Sequence, residues 1–245
     1  MTPMRSLIIS DIHANYSALQ AVLDSTGKVD QIWCLGDVVG YGPDPNECIE
    51  RLREIPNLVC LLGNHDAAVL GRIPLATFNK DARFSIQWTR SVLTPASQAW
   101  LETLPESWVT GSACLAHGSP RNPIWEDLLD PNTAALCFEF FDTDFCFVGH
   151  THLPVAFLHN GLDHPTRWLI PTSGQEFHPN NRVIINPGSV GQPRDRDPRA
   201  AFGIFNDVAH TWLPQRIPYD IASVQNRIME ANLPQRHAVR LLEGW

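Results

Sequence analysis

A chain of 245 residues, 44% of them apolar, is long enough to bury one large α/β core and too apolar to be disordered. A formal net charge of −8 excludes a protein that grips long stretches of nucleic acid through a basic face. It leaves room for a phosphate compound whose charge is met locally, for example by metal ions. No apolar run approaches the roughly 20 residues needed to cross a bilayer, and MTPMRSLIIS lacks the apolar core of a signal peptide, so a cytoplasmic protein is expected. The six cysteines (34, 48, 60, 114, 137 and 146) form no CxxC pair and mostly sit in apolar stretches, as reduced structural thiols do.

Along the chain, residues 7–10 read as a strand, 16–24 as a helix with apolar residues at helical spacing, and 31–35 as a second strand. A helix opened by proline follows at 45–54 and a third strand at 58–62. Strand, helix, strand with short connections implies βαβ units and a sheet with parallel strands. Two amphipathic helices are predicted in 79–93 and 94–104, forming a helical segment at about 77–104. Short strands are predicted at 108–110, 114–116, 145–148, 155–158, 168–170, 183–185 and 201–205, with a helix between 132 and 141. The chain closes with a strand at 215–218 and a helical stretch from 221 that Pro234 breaks. The proline-rich stretch 161–180 reads as an exposed loop or hairpin. No repeat, low-complexity tract or linker interrupts the pattern, so one domain over 1–245 is expected.

The chemistry gathers where strands end, the place where open α/β sheets bind ligands. SDIH puts Asp11 and His13 after the first strand. Taken alone, Asp11 also reads as a cap for the next helix and His13 as a loop residue. The other strand ends repeat the same grammar, however. CLGDVVGYG places Asp37 in a glycine-rich turn, CLLGNHDA places Asn64 and His65, CLAHGSP places His117, and CFVGHTH places His150 and His152. Half of the ten histidines thus follow apolar strand runs, beside carboxylates and an amide that can ligate metal. The others, at 159, 164, 178, 210 and 237, read as surface residues.

The ordered set DIH, GDVVGYG, GNHD, AHG and GHTH resembles the calcineurin-like metallophosphoesterase superfamily, above all its compact bacterial and archaeal phosphodiesterase branch. The resemblance spans residues 10–152 and continues through NPGSVGQPRD at 186–195. It implies an α/β (α+β) fold, a four-layer αββα sandwich of two mixed β-sheets flanked by helices. It further implies two metal ions, one held by Asp11, His13 and His152, the other by Asn64, His117 and His150, with Asp37 bridging them. Two divalent ions against two carboxylates leave a surplus near +2 for a phosphate. Such a pair can clamp the attacking and leaving oxygens of an in-line displacement, and a water bridging it becomes the nucleophile near neutral pH. Nitrogen-rich ligation without thiolate suits Mn, Fe, Zn, Ni or Co and disfavours Mg or Ca; Mn²⁺ or an Fe/Zn pair is the first expectation.

His65, not needed as a ligand, would stand over the phosphate as the catalytic residue, stabilising the transferring group or protonating the leaving oxygen. Asp66 would orient His65 or cap the following helix, with the cap preferred. The protein phosphatases of the superfamily carry GDxxDRG; here Gly40 and Tyr41 occupy the aligned positions and the arginine clamp is missing. Arg194 can replace it as a substrate contact. The loop after His117 can line the pocket through Arg121, Asn122 or Trp125. The expected activity is therefore hydrolysis of a small phosphodiester, with phosphomonoesters possible as well. Dinucleoside polyphosphate hydrolysis and phosphatase activity are the alternative enzyme readings. A non-catalytic scaffold of the same fold is the alternative from another class, opposed by the full set of ligand-type residues. Membrane and extended nucleic-acid partners are not expected.

Overall fold

The computed structural model describes residues 4–159, 161 and 164–245. Its first half runs β1 (Arg5–Ile9), α1 (Tyr16–Ser25), β2 (Gln31–Cys34), α2 (Pro45–Arg53), β3 (Leu58–Cys60), α3 (Asn64–Val69), α4 (Lys80–Val92), α5 (Pro95–Glu102), β4 (Ser107–Val109) and β5 (Ala113–Ala116). The second half runs α6 (Pro131–Cys137), β6 (Phe145–Phe147), β7 (Val155–Leu158), β8 (Arg167–Leu169), β9 (Val183–Asn186), β10 (Ala200–Asn206), β11 (Thr211–Ile217), α7 (Ile221–Glu230) and α8 (Gln235–Glu243).

The strands form two mixed sheets, ordered β11-β10-β1-β2-β3 and β4-β5-β6-β9-β7-β8. Strands β1, β2 and β3 are parallel, with β10 antiparallel to β1. In the second sheet β5, β6 and β9 are parallel and β7 runs against β9. The period-2 alternation of side chains sorts the layers. Leu7 and Ile9 face a core that includes Ala18, Leu19 and Val22 of α1, whereas Ile8 between them joins Trp33, Phe147 and Trp212 in the core between the sheets. Cys114, Cys146 and Ile184 turn outward onto Ala134, Cys137 and Phe138 beside them. The layers are thus helix, sheet, sheet, helix, as the family resemblance implied.

Local signals fix the helix ends. The Asn15 side chain accepts a hydrogen bond from the Ala18 N–H at 3.1 Å and caps α1, so Asp11 is not the cap. Asn79 and Thr94 cap α4 and α5 in the same way. Strand β11 begins at Thr211, four residues before the predicted start, because Pro214 sits on an edge strand where its missing N–H costs no ladder bond. Within the proline-rich stretch, β8 pairs antiparallel with β7 as a hairpin, while residues 162 and 163 lie outside the described residues. All six cysteines are buried and free. Among the described residues no helix is long and apolar enough to cross a membrane.

Phe147 lies at the centre of the inter-sheet core, with ring centroids 5.2 Å from Phe205, 5.5 Å from Trp212 and 6.1 Å from Trp33. Phe147→Ala should lower the unfolding free energy by ~3–5 kcal/mol in urea titrations, whereas Phe140→Ala, at a side chain 53% exposed, should change it by less than ~0.5 kcal/mol. Equal effects would contradict the layer assignment.

Candidate metal centre

Five strand ends deliver the candidate ligands to one place, and the backbone is bent to do so. Asp11, His13, Asp37, His150 and His152 all adopt left-handed backbone conformations, with φ between 49° and 65°. Asp and His visit this region more readily than most residues, yet each instance costs ~1–3 kcal/mol and persists only where neighbours over-determine it. Here they do. The His13 N–H donates to the Asp37 carbonyl at 2.9 Å and the Asp11 N–H to the Gly36 carbonyl at 3.0 Å, tying the loops after β1 and β2 together. The Asp66 carboxylate accepts from the N–H groups of Val39 (3.0 Å), Val38 (3.3 Å) and Gly63 (3.0 Å), stapling the Asp37 loop to the start of α3. Gly36 has φ +105°, and a Cβ there would meet the Gly63 nitrogen at 2.7 Å, so only glycine lets these two loops approach. The loop 187–194 closes the ring: Gly191 N–H and Ser189 Oγ donate to the Asp11 carbonyl at 3.0 and 2.8 Å.

The side chains converge. His152 Nε2 lies 3.3 Å from Asp11 Oδ1 and 3.0 Å from His13 Nε2. Asp37 Oδ2 is 3.6 Å from His13 Nε2 and 3.4 Å from His117 Nε2, and His117 Nε2 is 3.0 Å from Asn64 Oδ1. Asp11, His13 and His152 form one cluster with ligand atoms within 4.8 Å of one another, and Asp37, His117 and His150 form another. Asp37 also clusters with His13 and His65, so its carboxylate faces both groups.

These residues fit a metal on two observations. Both oxygens of the fully buried Asp11 carboxylate lack any hydrogen-bond partner, a state that is costly without a cation. In addition, the Nδ1 atoms of His13, His117 and His152 each lie on a main-chain carbonyl, those of Val39 (3.2 Å), Leu35 (3.0 Å) and Gln192 (2.6 Å). An Nδ1–H donated to a carbonyl leaves the Nε2 lone pair free and aimed into the centre, the arrangement that orients metal-ligating histidines.

Residues 4–207 match the calcineurin-like phosphoesterase superfamily domain. The chain belongs to the calcineurin-like phosphoesterase superfamily. Membership makes it a metal-dependent phosphoester hydrolase. The crystal structure of a metallophosphoesterase from Sphaerobacter thermophilus is 45% identical to it, with a TM-score of 0.91 and 100% of each chain covered. An uncharacterized protein of Methanocaldococcus jannaschii is 36% identical over 244 residues, 97% of each chain. The phosphodiesterase YfcE of Escherichia coli is 27% identical over 217 residues, covering 84% of this chain and 89% of its own.

Around this phosphoesterase centre, an open cleft of about 220 Å³ is lined by Asp37, Asn64, His65, His150, His152 and Arg194. Tyr41, Thr77, Phe78, Asn79, Trp125 and Asp127 complete its walls. Of the two arginines expected at the substrate, Arg194 lines the cleft, its guanidinium donating to Gln192 Oε1 at 3.0 Å. Arg121 does not; Glu126 holds its guanidinium in an ion pair, with Nε 3.1 Å from Oε2. Trp125 of the same loop does reach the cleft, edge-on to Phe78 at 5.1 Å. Residues 77–79 of the helical segment form a wall, while Ile86 and Leu101 within it pack into the core beside α1 and α2.

Three features were not read from the sequence. Asp127 approaches His150 Nε2 at 3.4 Å. Tyr41 is buried against His65 (4.4 Å), His13 (4.7 Å) and His237 (5.0 Å). His237 itself, expected on the surface, is buried and 1% exposed. It shares the face of α8 that carries Leu241 four positions on, a helical spacing that would have exposed the error.

Burial governs the titrations. It pushes the Asp11 carboxyl up to about 7, with His117 opposing and Asp37 adding. It also acts to raise Asp37, but the charges of His117, His65 and His13 hold that carboxyl well below the usual range. The pH dependence of the metal-free protein follows. The folded state keeps the Asp11 proton where the unfolded chain has released it, so this contribution is full below about pH 4 and lost as pH rises through about 7. The urea midpoint of metal-free wild type should therefore fall relative to that of Asp11→Asn between pH 4 and 8, and metal loading should restore wild type at pH 8. Parallel midpoints would contradict a buried, uncompensated carboxylate.

Proposed function

We propose that the chain hydrolyses phosphodiesters at a two-metal centre, with Asp11, His13 and His152 around one ion, Asn64, His117 and His150 around the other, and Asp37 between them. The observation that carries this reading is the unpartnered Asp11 carboxylate facing imidazoles whose Nδ1 atoms are tied to main-chain carbonyls. When bound, the ions supply Lewis-acid charge for the phosphate and lower the pKa of water to make a nucleophile. The donor set of imidazole, amide and carboxylate without thiolate suits Mn²⁺ or another transition ion.

The protein's own residues account for the preference for a diester. Gly40 and Tyr41 stand where related protein phosphatases carry an Asp and an Arg, and Arg121 is engaged by Glu126. Arg194 is then the arginine that lines the cleft among the described residues. One guanidinium suits the single negative charge of a diester better than the dianion of a monoester. The relation to the phosphodiesterase YfcE supports the same choice.

His65 is placed to act on the phosphate from the cleft wall. Its backbone N–H donates to Asp37 Oδ1 at 2.8 Å, and its ring is held between Tyr41 and Phe78, with centroids at 4.4 and 5.1 Å. Burial lowers the imidazole to about 4, against the raising effect of Asp37, so it is neutral at pH 7. Its buried Nδ1 has no protein partner. A neutral imidazole donates an N–H to a phosphate oxygen as charge develops there, which favours stabilisation of the transferring group over protonation of the leaving oxygen.

Metal-stripped protein reloaded with Mn²⁺ should hydrolyse bis-p-nitrophenyl phosphate faster than p-nitrophenyl phosphate, and Asp37→Asn should lose that turnover. Faster monoester turnover would move the assignment to a phosphatase, and two bound metals without turnover of either would favour a scaffold. His65→Ala should lower kcat by ~10²–10³ with metal content unchanged, since that is the worth of one preorganised donor. His65→Gln, which keeps a donor, should recover part of the loss; no recovery would point instead to proton transfer.

A further inference from the structure

A second cavity, of about 400 Å³, runs beside the cleft, with walls that include Leu129, Leu153, Pro154, Trp168, Ile170 and Asp195. Its adjacency to the candidate catalytic site is built into the chain. Three segments pass directly from one to the other: Asp127, His152 and Arg194 line the cleft, and the residues immediately after them, Leu128, Leu153 and Asp195, line the groove. The floor is the outer face of the second sheet, where Phe157 on β7 pairs across the strands with Trp168 on β8.

The groove is apolar and open. Leu129, Trp168 and Ile170 are 61%, 57% and 64% exposed, three large apolar side chains on one depression. Apolar side chains scattered singly on a surface need no explanation, but a contiguous set beside a catalytic cleft marks a binding site. Asp195 is the charged residue among those lining the groove, and its carboxylate is ion-paired with Arg216. The groove therefore offers a ligand no net charge. An apolar ester substituent is the part of a phosphodiester suited to such a surface; the charged phosphate has no reason to enter it.

We propose that this groove is a substrate subsite that takes an uncharged, apolar ester group of the phosphodiester, so that the substrate class is a diester bearing one large aryl or alkyl substituent. The proposal rests on the phosphodiester reading. Binding energy gathered in the groove is remote from the reacting phosphorus and serves to hold the ester in position.

The test uses metal-loaded enzyme and a series with a common leaving group: methyl, hexyl and phenyl p-nitrophenyl phosphate. In wild type, kcat/KM for the hexyl and phenyl esters should exceed that for the methyl ester by about tenfold or more, the worth of burying several tens of Å² of apolar surface. Trp168→Ala and Ile170→Asp should abolish most of that advantage and leave the methyl ester within about twofold. A gain for the phenyl ester alone identifies an aromatic group, and a gain for the hexyl ester alone an aliphatic one. Calorimetric binding of hexyl methylphosphonate against methyl methylphosphonate, neither of them a p-nitrophenyl ester, gives a readout free of turnover. If no diester is hydrolysed but the hexyl preference appears in binding and is lost in the variants, the subsite stands and the diester reading falls. If diesters are hydrolysed with no preference, or the preference survives both variants, the subsite is overturned. A wild-type dimer that Ile170→Asp dissociates would also overturn it, by giving the groove to a second copy.

Discussion

Two carboxylates taken wholly out of water are the constraint around which this protein is arranged. Asp11 and Asp37 are both buried, Asp11 without a single hydrogen bond to its oxygens, and such charges persist in a folded protein only against compensating positive charge. Everything nearby serves that compensation. The loops after β1 and β2 are tied to each other, the loop at 187–194 is tied to Asp11, and the Asp66 carboxylate fastens the loop after β3 to the loop after β2. The result is a set of strained, left-handed backbone positions at the candidate ligands that no ordinary turn would need.

The same arrangement reconciles an acidic protein with an anionic substrate. A net charge of −8 would repel phosphate if spread evenly. Metal held at one point, with Arg194 lining the cleft beside it, would reverse the sign locally. Tyr41 then carries the site outward to the C-terminal helices. Its ring packs on His13 and His65 on one side and His237 on the other, so α8 is mechanically continuous with the centre.

The layers and most of the centre were legible in the sequence because both depend on short-range pattern. Apolar runs ending in Asp11, Asp37, Asn64, His117 and the His150–His152 pair mark strands and place polar groups at their ends, and parallel topology brings those ends together. What escaped depends on which side chains and strands meet in the fold. His237 looks like any helical histidine until α8 docks on Tyr41, nearly two hundred positions earlier. Arg121 was chosen for its charge, but Glu126, five positions on, engages it first. Strand β11 starts earlier than predicted because Pro214 is tolerated at the sheet edge. Asp127 gave no motif at all; only the fold brings it beside His150.

Crystals of the protein loaded with Mn²⁺, measured at the manganese absorption edge, test the central claim most directly. Two anomalous peaks are expected, one among Asp11, His13 and His152 and one among Asn64, His117 and His150, with Asp37 beside both. A single peak, or none within these residues, would contradict a two-metal centre built on these strand ends.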